Sequence, residues 1–167
     1  MGTSQSSVYI ETTIPSVITS WPSQHVETLF RQQITTFFWE KEKHRCNLYV
    51  SNYVIEECSK GDPEYVKKRL QLIEGIPVLN KPKDIDKLAL EYYKLLNIPT
   101  SAKTDSYHLA ICVAHNIDFL LSWNLKHCGQ RSFLLMVEYN VKRGLHTPIL
   151  CNPSELLLDM ESWTKTN

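Results

Sequence analysis

The stretch TDSYHLAICVAHNIDFLLS, residues 104–122, contains the two patterns that decide the fold. Residues 104–116 predict a helix, and Asn116 is of a type that often ends a helix in the left-handed conformation. The run DFLLS, residues 118–122, is apolar at its centre, as strands are when both faces of the sheet are covered. A helix followed directly by a buried strand is typical of α/β proteins.

Outward from this stretch, short strand-like runs alternate with helical ones. Strands are predicted at residues 8–11, 47–51, 77–79, 118–122 and 148–151. Helices are predicted from Ser23, across Glu56 and Glu57, from Asp62 to Gly75, from Asp84, and over residues 132–143. This alternation predicts an α/β fold with three layers (α/β/α), Rossmann-like, around a mostly parallel sheet. We expect one domain over residues 1–167, with its core at about 8–150 and a C-terminal tail at 151–167.

The predicted helix from Ser23 has an unusually aromatic apolar side. Its predicted stripe comprises Val26, Leu29, Phe30, Ile34, Phe37 and Phe38. Such a stripe is typical of a core-facing helix, and Trp39 beyond it is a candidate for a dimer or partner surface.

Composition and motifs exclude several classes of protein. The formal net charge is 0, so a dominant basic surface for nucleic acid is absent. No apolar run is long enough to span a bilayer, and the odd number of cysteines, five, forms no CxxC pair, so we expect a cytoplasmic protein with buried free thiols and no membrane partner. The five glycines form no GxGxxG motif or P-loop, which argues against a nucleotide-binding domain. The cysteines and histidines match no zinc-finger spacing.

Polar residues follow the predicted strands where a parallel sheet binds its ligands, beyond the carboxyl ends. Glu11 ends the first strand, Glu57 follows the second and Asn124 follows DFLLS, while Asp105 opens the preceding helix. If these oxygens meet, repulsion between the carboxylates requires a proton or a cation, and oxygen ligands suit Mg²⁺ or Mn²⁺. The residues alone leave open a plainer interpretation, in which Glu11 is an exposed charge, Glu57 lies on a wet helix face and Asp105 complements a helix dipole.

Four motifs, in this order, resemble those of PIN domains, and especially the VapC-like toxins of toxin–antitoxin systems. They are VYIETT at 8–13, LYVSNYVIEE at 48–57, TDSYHLA at 104–110 and DFLLSWNLKH at 118–127. The resemblance extends from about residue 8 to about residue 150. It implies a Rossmann-like PIN fold and an Mg²⁺- or Mn²⁺-dependent ribonuclease site, with an RNA substrate, a small cognate antitoxin and a homodimer as expected partners.

Carried over residue by residue, the resemblance makes Glu11, Glu57, Asp105 and Asn124 the metal ligands and catalytic residues. Most members of the family open with aspartate where this chain has Glu11, and many end with aspartate where it has Asn124. Both changes keep an oxygen ligand, but Asn124 removes a negative charge. The expected function is therefore a metal-dependent endoribonuclease of the toxin type. The alternative is a catalytically weakened module that binds protein or RNA.

Six further residues are candidates for supporting the site or contacting substrate: Thr12, Ser122, Asp118, His108, Trp123 and Lys126. Asp118 is also of a type that pairs with a backbone amide before a strand. His108 either holds Asp105, contacts substrate or is a core histidine. Trp123, beside Lys126, either stacks on a base or packs against the last helix.

Overall fold

The computed structural model describes residues 5–124 and 129–164, with side chains described through residue 161. Five parallel strands form one sheet in the order β3-β2-β1-β4-β5. The strands are β1 Ser7–Ile10, β2 Asn47–Ser51, β3 Val78–Leu79, β4 Phe119–Leu121 and β5 Ile149–Cys151. The predicted α/β class and parallel sheet are thereby confirmed.

Helices cover the sheet and complete three layers. They are α1 Thr13–Thr19, α2 Val26–Phe37, α3 Asn52–Cys58, α4 Pro63–Ile73, α5 Ile85–Leu95, α6 Lys103–Ala114, α7 Gln130–Arg143 and α8 Pro153–Thr164. Helix α5 packs on α6 and α7, whereas α2 packs on α1 and α8. Short 3₁₀ turns lie at Lys43–Arg45 and Thr100–Ala102. Among the described residues, no helix has both the length and the apolar character needed to cross a bilayer.

Several helix boundaries follow from the capping residues in the sequence. The Asp62 carboxylate accepts a hydrogen bond from the Glu64 amide at 2.9 Å, so it caps α4 as predicted. Asn116 has a φ of 52°, which is the predicted left-handed ending of α6. The core centres on the inner strands, where Val8, Tyr9 and Ile10 of β1 are fully buried.

Helix α1 was not predicted, since the sequence analysis placed the first helix after the first strand only from Ser23. The chain instead enters a helix at Thr13, directly after the strand. Pro15 fits there because backbone N–H groups in the first helical turn have no intrahelical acceptor, so the missing N–H costs nothing. This tight strand-to-helix connection holds Glu11 at the carboxyl edge of the sheet.

The predicted apolar stripe of α2 also differs from the structure in which of its residues are buried. Val26, Phe30 and Phe37 are largely exposed, whereas Phe38 is fully buried. Trp39 is only 6% exposed and belongs to the core, so of the two interpretations of this aromatic set the alternative of a partner surface at Trp39 does not hold. Phe38 and Trp39 lie in a π-helical turn at Phe38–Glu42, which is wider than an α-turn and changes the direction of the side chains that follow Phe37.

Residues 151–164, which the sequence analysis placed in a C-terminal tail, form the end of β5 and helix α8. Cys151 is the last residue of β5, and α8 follows within two residues. Leu156 and Met160 of α8 are fully buried. The core therefore extends well past residue 150, because the apolar face of α8 packs against the rest of the domain.

The cysteines of the described segments are free thiols. Cys46, Cys58, Cys112 and Cys151 are all buried, as expected for cysteines among apolar neighbours.

Candidate functional site

A cleft of about 650 Å³ opens at the carboxyl edge of the sheet. Glu11, Glu57, Asp105 and Asn124 all line it, although they come from four different parts of the chain. The Glu11 amide donates to the Leu121 carbonyl at 3.1 Å, which extends the pairing of β1 and β4 to this edge. The parallel sheet thus brings the predicted residues to one place.

Glu11 is a nearly buried carboxylate, only 6% exposed. Its Oε2 atom accepts hydrogen bonds from the Thr13 amide at 3.0 Å and from the Thr13 hydroxyl at 2.5 Å. The Ser122 hydroxyl donates to the same oxygen at 2.7 Å. These donors offset the cost of burying the charge, so Glu11 is not the exposed surface acid of the plainer interpretation.

Glu57 is held in a similar way by one oxygen. Its Oε2 atom accepts from the Thr12 hydroxyl and from His108 Nε2, the latter at 3.1 Å. Burial raises the pKa of the Glu57 carboxyl, but the hydrogen bond and charge of His108, together with the Thr12 hydroxyl, outweigh burial and lower the pKa below its ordinary value. Glu57 is therefore ionised at neutral pH.

The neighbouring acid Glu56 has a different environment. It is exposed and does not line the cleft. The two adjacent glutamates of α3 consequently form a matched pair, one at the site and one outside it.

His108 is buried in the core and hydrogen-bonds to Glu57. It is 2% exposed, and its Nδ1 atom lies 2.7 Å from the Tyr9 hydroxyl. Burial lowers the pKa of the imidazole, but the hydrogen bond to Glu57 and the charges of Glu11, Glu57 and Asp105 raise it above the ordinary value. The imidazole therefore supplies positive charge that offsets part of the repulsion among the carboxylates.

Glu11, Glu57 and His108 form the most compact group at the site. One ligand atom from each lies within 4.8 Å of the others, which is close enough for a shared ion. Asp105 is outside this group, although it lines the same cleft. The sequence predicted four oxygen ligands, and the structure places an imidazole where the prediction had only oxygens.

Asn124 contacts Asp105 through its amide nitrogen. The distances from Nδ2 to the two Asp105 oxygens are 3.3 and 3.5 Å. The amide nitrogen carries no lone pair for a metal, so a role for Asn124 as an oxygen ligand requires a half-turn of its amide group. The Asn124 backbone amide donates to the Ser122 hydroxyl at 2.8 Å, which links this residue to Glu11.

Asp118 does not belong to the site. It precedes β4 and accepts hydrogen bonds from the Ser7 amide and hydroxyl, each at 2.8 Å, at the amino-terminal edge of the sheet. Its candidate role beside the metal ligands is therefore wrong, because a residue before a parallel strand lies at the edge opposite to residues that follow it. The alternative, pairing with a backbone amide, is the one observed.

Trp123 forms part of the cleft wall together with a residue that the sequence analysis did not select. Its indole nitrogen donates to the Thr35 hydroxyl of α2 at 2.9 Å, so the ring packs on α2 and not on the last helix. The Arg31 guanidinium lies 5.2 Å from the Trp123 ring centroid and also lines the cleft. No sequence signal marked Arg31, since its pairing with Glu27 is an ordinary exposed helix pair. Lys126, the predicted phosphate contact, lies outside the described residues.

The cleft is not the largest cavity of the described chain. A groove of about 750 Å³ runs along α4 and β3, lined largely by apolar residues such as Val66, Leu70 and Ile76. It contains no cluster of acidic or metal-ligating side chains among the described residues. We assign the functional site by its chemistry, which places it in the smaller cleft.

The ion pair between His108 and Glu57 predicts a pH optimum of stability in the metal-free protein. The pKa of Glu57 is lowered from 4.5, so its contribution is complete above pH 4.5 and is lost as the pH falls through the lowered value. The pKa of His108 is raised from 6.5, so its contribution is complete below pH 6.5 and is lost as the pH rises through the raised value. The charges of Glu11 and Asp105 and the Tyr9 hydroxyl also act on this imidazole. These groups are present in both proteins compared below.

The measurement is the urea midpoint of the wild type and of His108→Gln between pH 4 and 8, in the presence of a chelator. We expect the difference between the two proteins to be largest between about pH 4.5 and 6.5 and to shrink on both sides. A difference that does not change with pH would show that the pair is not ionised in the folded protein.

No model of a known protein family matches the sequence, and no curated protein matches it either. The assignment of a function therefore rests on the motifs and on the geometry of the cleft.

Proposed function

We propose that this protein is an endoribonuclease that hydrolyses RNA phosphodiester bonds with Mg²⁺ or Mn²⁺ held in the cleft. The observation that carries the proposal is the approach of Glu11 and Glu57, whose ligand atoms lie within 4.8 Å of each other, with Asp105 and Asn124 lining the same cleft. The motif resemblance to PIN domains supports the same activity. The geometry of the cleft and the motif resemblance together support the proposal more than either does by itself.

The donor set fits a small hard cation. The hydrogen bonds described for Glu11 and Glu57 all end on Oε2, so within the described chain Oε1 of each carboxylate accepts none. One oxygen of each side chain thus anchors the carboxylate and the other is available to an ion. Carboxylate oxygens are the ligands that Mg²⁺ and Mn²⁺ prefer. Glu11 and Glu57 would hold the cation, with Asp105 the third acid of the cleft.

The protein residues contribute positioning and substrate binding. When bound, the cation supplies activation of water and neutralisation of phosphate charge. The hydroxyls of Thr12, Thr13 and Ser122 fix the two carboxylates before substrate arrives. Arg31 offers a cation at the cleft wall for a phosphate, and Trp123 beneath it offers an aromatic surface at the same wall.

Arg31 gives a test of the substrate side of the proposal. We expect Arg31→Gln to weaken RNA binding about 10-fold, because one charge-assisted contact to phosphate is lost, while Mn²⁺ affinity stays unchanged. Arg143→Gln is the matched control, since Arg143 also stacks on an aromatic ring, that of Tyr139, but lies outside the cleft. Fluorescence anisotropy with a labelled RNA oligonucleotide measures both variants. Equal affinities of the two variants would remove Arg31 from the substrate site.

The motif resemblance extends the proposal to the biological role. We propose a toxin of a toxin–antitoxin pair, with a small antitoxin as its neutralising partner and a homodimer as its assembly state. A gene for a short DNA-binding protein next to this one would support the role. Light scattering at several concentrations tests the dimer.

A second candidate function follows from His108. Because the imidazole supplies positive charge inside the acidic group, the carboxylates can persist together without a metal ion. This favours, as the alternative, a PIN-like interaction module whose cleft no longer cleaves RNA. Absence of Mn²⁺ or Mg²⁺ binding by calorimetry would select it.

The deciding experiment is cleavage of end-labelled single-stranded RNA by purified protein. We expect cleavage with Mn²⁺ or Mg²⁺ and none with excess chelator. A Glu57→Gln preparation, purified in parallel, controls for contaminating nuclease, since only activity that this substitution removes belongs to the cleft. Equal activity of the wild type and this variant would contradict the proposal.

A further inference from the structure

Behind the cleft, three buried polar side chains form a hydrogen-bonded chain through the core. Tyr9 of β1, Ser51 at the end of β2 and His108 of α6 are 0%, 1% and 2% exposed. The Tyr9 hydroxyl lies 2.6 Å from Ser51 Oγ and 2.7 Å from His108 Nδ1. Beyond His108, the chain reaches Glu57 at 3.1 Å, so it ends at the proposed metal site.

A tyrosine at position 9 places a hydroxyl in the core, which costs free energy unless the hydroxyl is hydrogen-bonded. The side chain is fully buried in the central strand, where phenylalanine would fill the same volume without a hydroxyl to satisfy. Burial raises the pKa of the Tyr9 phenol well above its ordinary value, so the hydroxyl keeps its proton. It can therefore act as donor to one neighbour and acceptor from the other at all working pH values.

The chain fixes the orientation of the imidazole. An ionised carboxylate only accepts hydrogen bonds, so His108 Nε2 carries the proton in its contact with Glu57 Oε2. The Nδ1 atom then has the Tyr9 hydroxyl as its one described partner. Contacts at both ring nitrogens hold the plane and the tilt of the ring.

We propose that Tyr9 is a positioning residue for the site. Through His108 it keeps Glu57 Oε2 engaged, which leaves the other oxygen of the carboxylate for the cation. The inference rests on the proposed function, since the benefit of a fixed Glu57 is a pre-organised cation site. His108 bonds directly to the proposed ligand Glu57, a place where partners commonly affect metal affinity by 10- to 100-fold, and Tyr9 acts one step further out, so its effect is expected at the lower end of that range.

The test is Tyr9→Phe, which removes the hydroxyl and leaves the ring. We expect its Mn²⁺ affinity, measured by calorimetry at pH 7, to fall about 10-fold. Tyr92→Phe is the matched control: Tyr92 is also fully buried, and its hydroxyl donates to Asn140 Oδ1 at 2.6 Å, outside the cleft. Tyr9→Phe loses two buried hydrogen bonds and Tyr92→Phe loses one, but only Tyr9→Phe is expected to change metal affinity.

A second measurement is independent of any metal. Nitrogen-15 NMR of the metal-free wild type is expected to show a His108 ring with both nitrogens hydrogen-bonded, with His108→Gln assigning the signal. In Tyr9→Phe we expect the Nδ1 resonance to shift while the other assigned histidine signals stay in place.

The outcomes separate the two claims. If the wild type binds no Mn²⁺, the proposed function fails and the inference fails with it. If the wild type binds Mn²⁺ and Tyr9→Phe binds it equally well, the positioning role of Tyr9 is overturned while the proposed function stands. An equal loss of affinity in Tyr9→Phe and Tyr92→Phe would also overturn it, because the effect would then follow from general loss of stability.

Discussion

Replacing Glu57 by glutamine is expected to lower the affinity for Mn²⁺ by about 100-fold or more and to abolish RNA cleavage. Glutamine has the same shape, and its carbonyl oxygen still accepts the hydrogen bond from Thr12. The substitution removes the negative charge that balances the cation and that favours the protonated form of His108, although the same carbonyl oxygen can still accept from His108. Calorimetry with Mn²⁺ and cleavage of labelled RNA measure the two effects.

Glu56→Gln is the control for this substitution. It removes the same charge from the same helix, one residue away, but from an exposed position outside the cleft. We expect its Mn²⁺ affinity and cleavage rate to match those of the wild type within about twofold, because an exposed charge is screened by solvent. Similar losses in both variants would mean that net charge, and not the geometry of the cleft, governs cation binding.

Leu156→Ala is expected to destabilise the protein by about 3 kcal/mol, within the range of roughly 2 to 5 for fully buried leucines. Leu156 is 0% exposed, and its removal leaves a cavity between α8 and the rest of the core. In a domain of this size, such a loss lowers the melting temperature by about 10 °C. Urea and thermal unfolding measure it.

Leu158→Ala, two residues away, provides the comparison. Leu158 is 67% exposed on the same helix, and we expect a change of no more than about 0.5 kcal/mol. If the two variants have equal stability, α8 does not contribute to the core, and the core ends near residue 150 as the sequence had suggested.

Local sequence signals predicted much of the fold. The apolar runs at β2 and β4 and the capping residues Asp62 and Asn116 each act on their immediate neighbours. Such features are readable from the chain because their causes lie within one or two turns. The parallel order of the strands followed from their alternation with helices.

Three parts of the fold differ from the prediction: helix α1, the aromatic residues near Phe38 and helix α8. The helix at Thr13–Thr19 is only 7 residues long, too short for a clear apolar period, and its Pro15 imitates a turn. The aromatic residues near Phe38 look alike in sequence, and only the π-helical turn decides which of them is buried. Helix α8 was overlooked although the sequence marks its start, since Asn152 caps it and Pro153 is its first residue.

The sequence predicted which four side chains lie together in the cleft, but not the contacts that these and neighbouring side chains make. Glu11, Glu57, Asp105 and Asn124 share the cleft because parallel strands end at one edge, which is a property of topology. The contact of His108 with Glu57 joins residues 51 positions apart, and the stack of Arg31 on Trp123 joins α2 to the residue after β4. No spacing in the sequence encodes such pairs, since they depend on how the helices pack.

The position of Mn²⁺ in a soaked crystal tests the central claim most directly. Anomalous diffraction at the manganese edge locates the ion without reference to activity. We predict one anomalous peak in the cleft, within direct coordination distance of a carboxylate oxygen of both Glu11 and Glu57. An ordered peak only at other sites, or none at millimolar Mn²⁺, would contradict the account and leave the acidic cleft as a structural feature neutralised by His108.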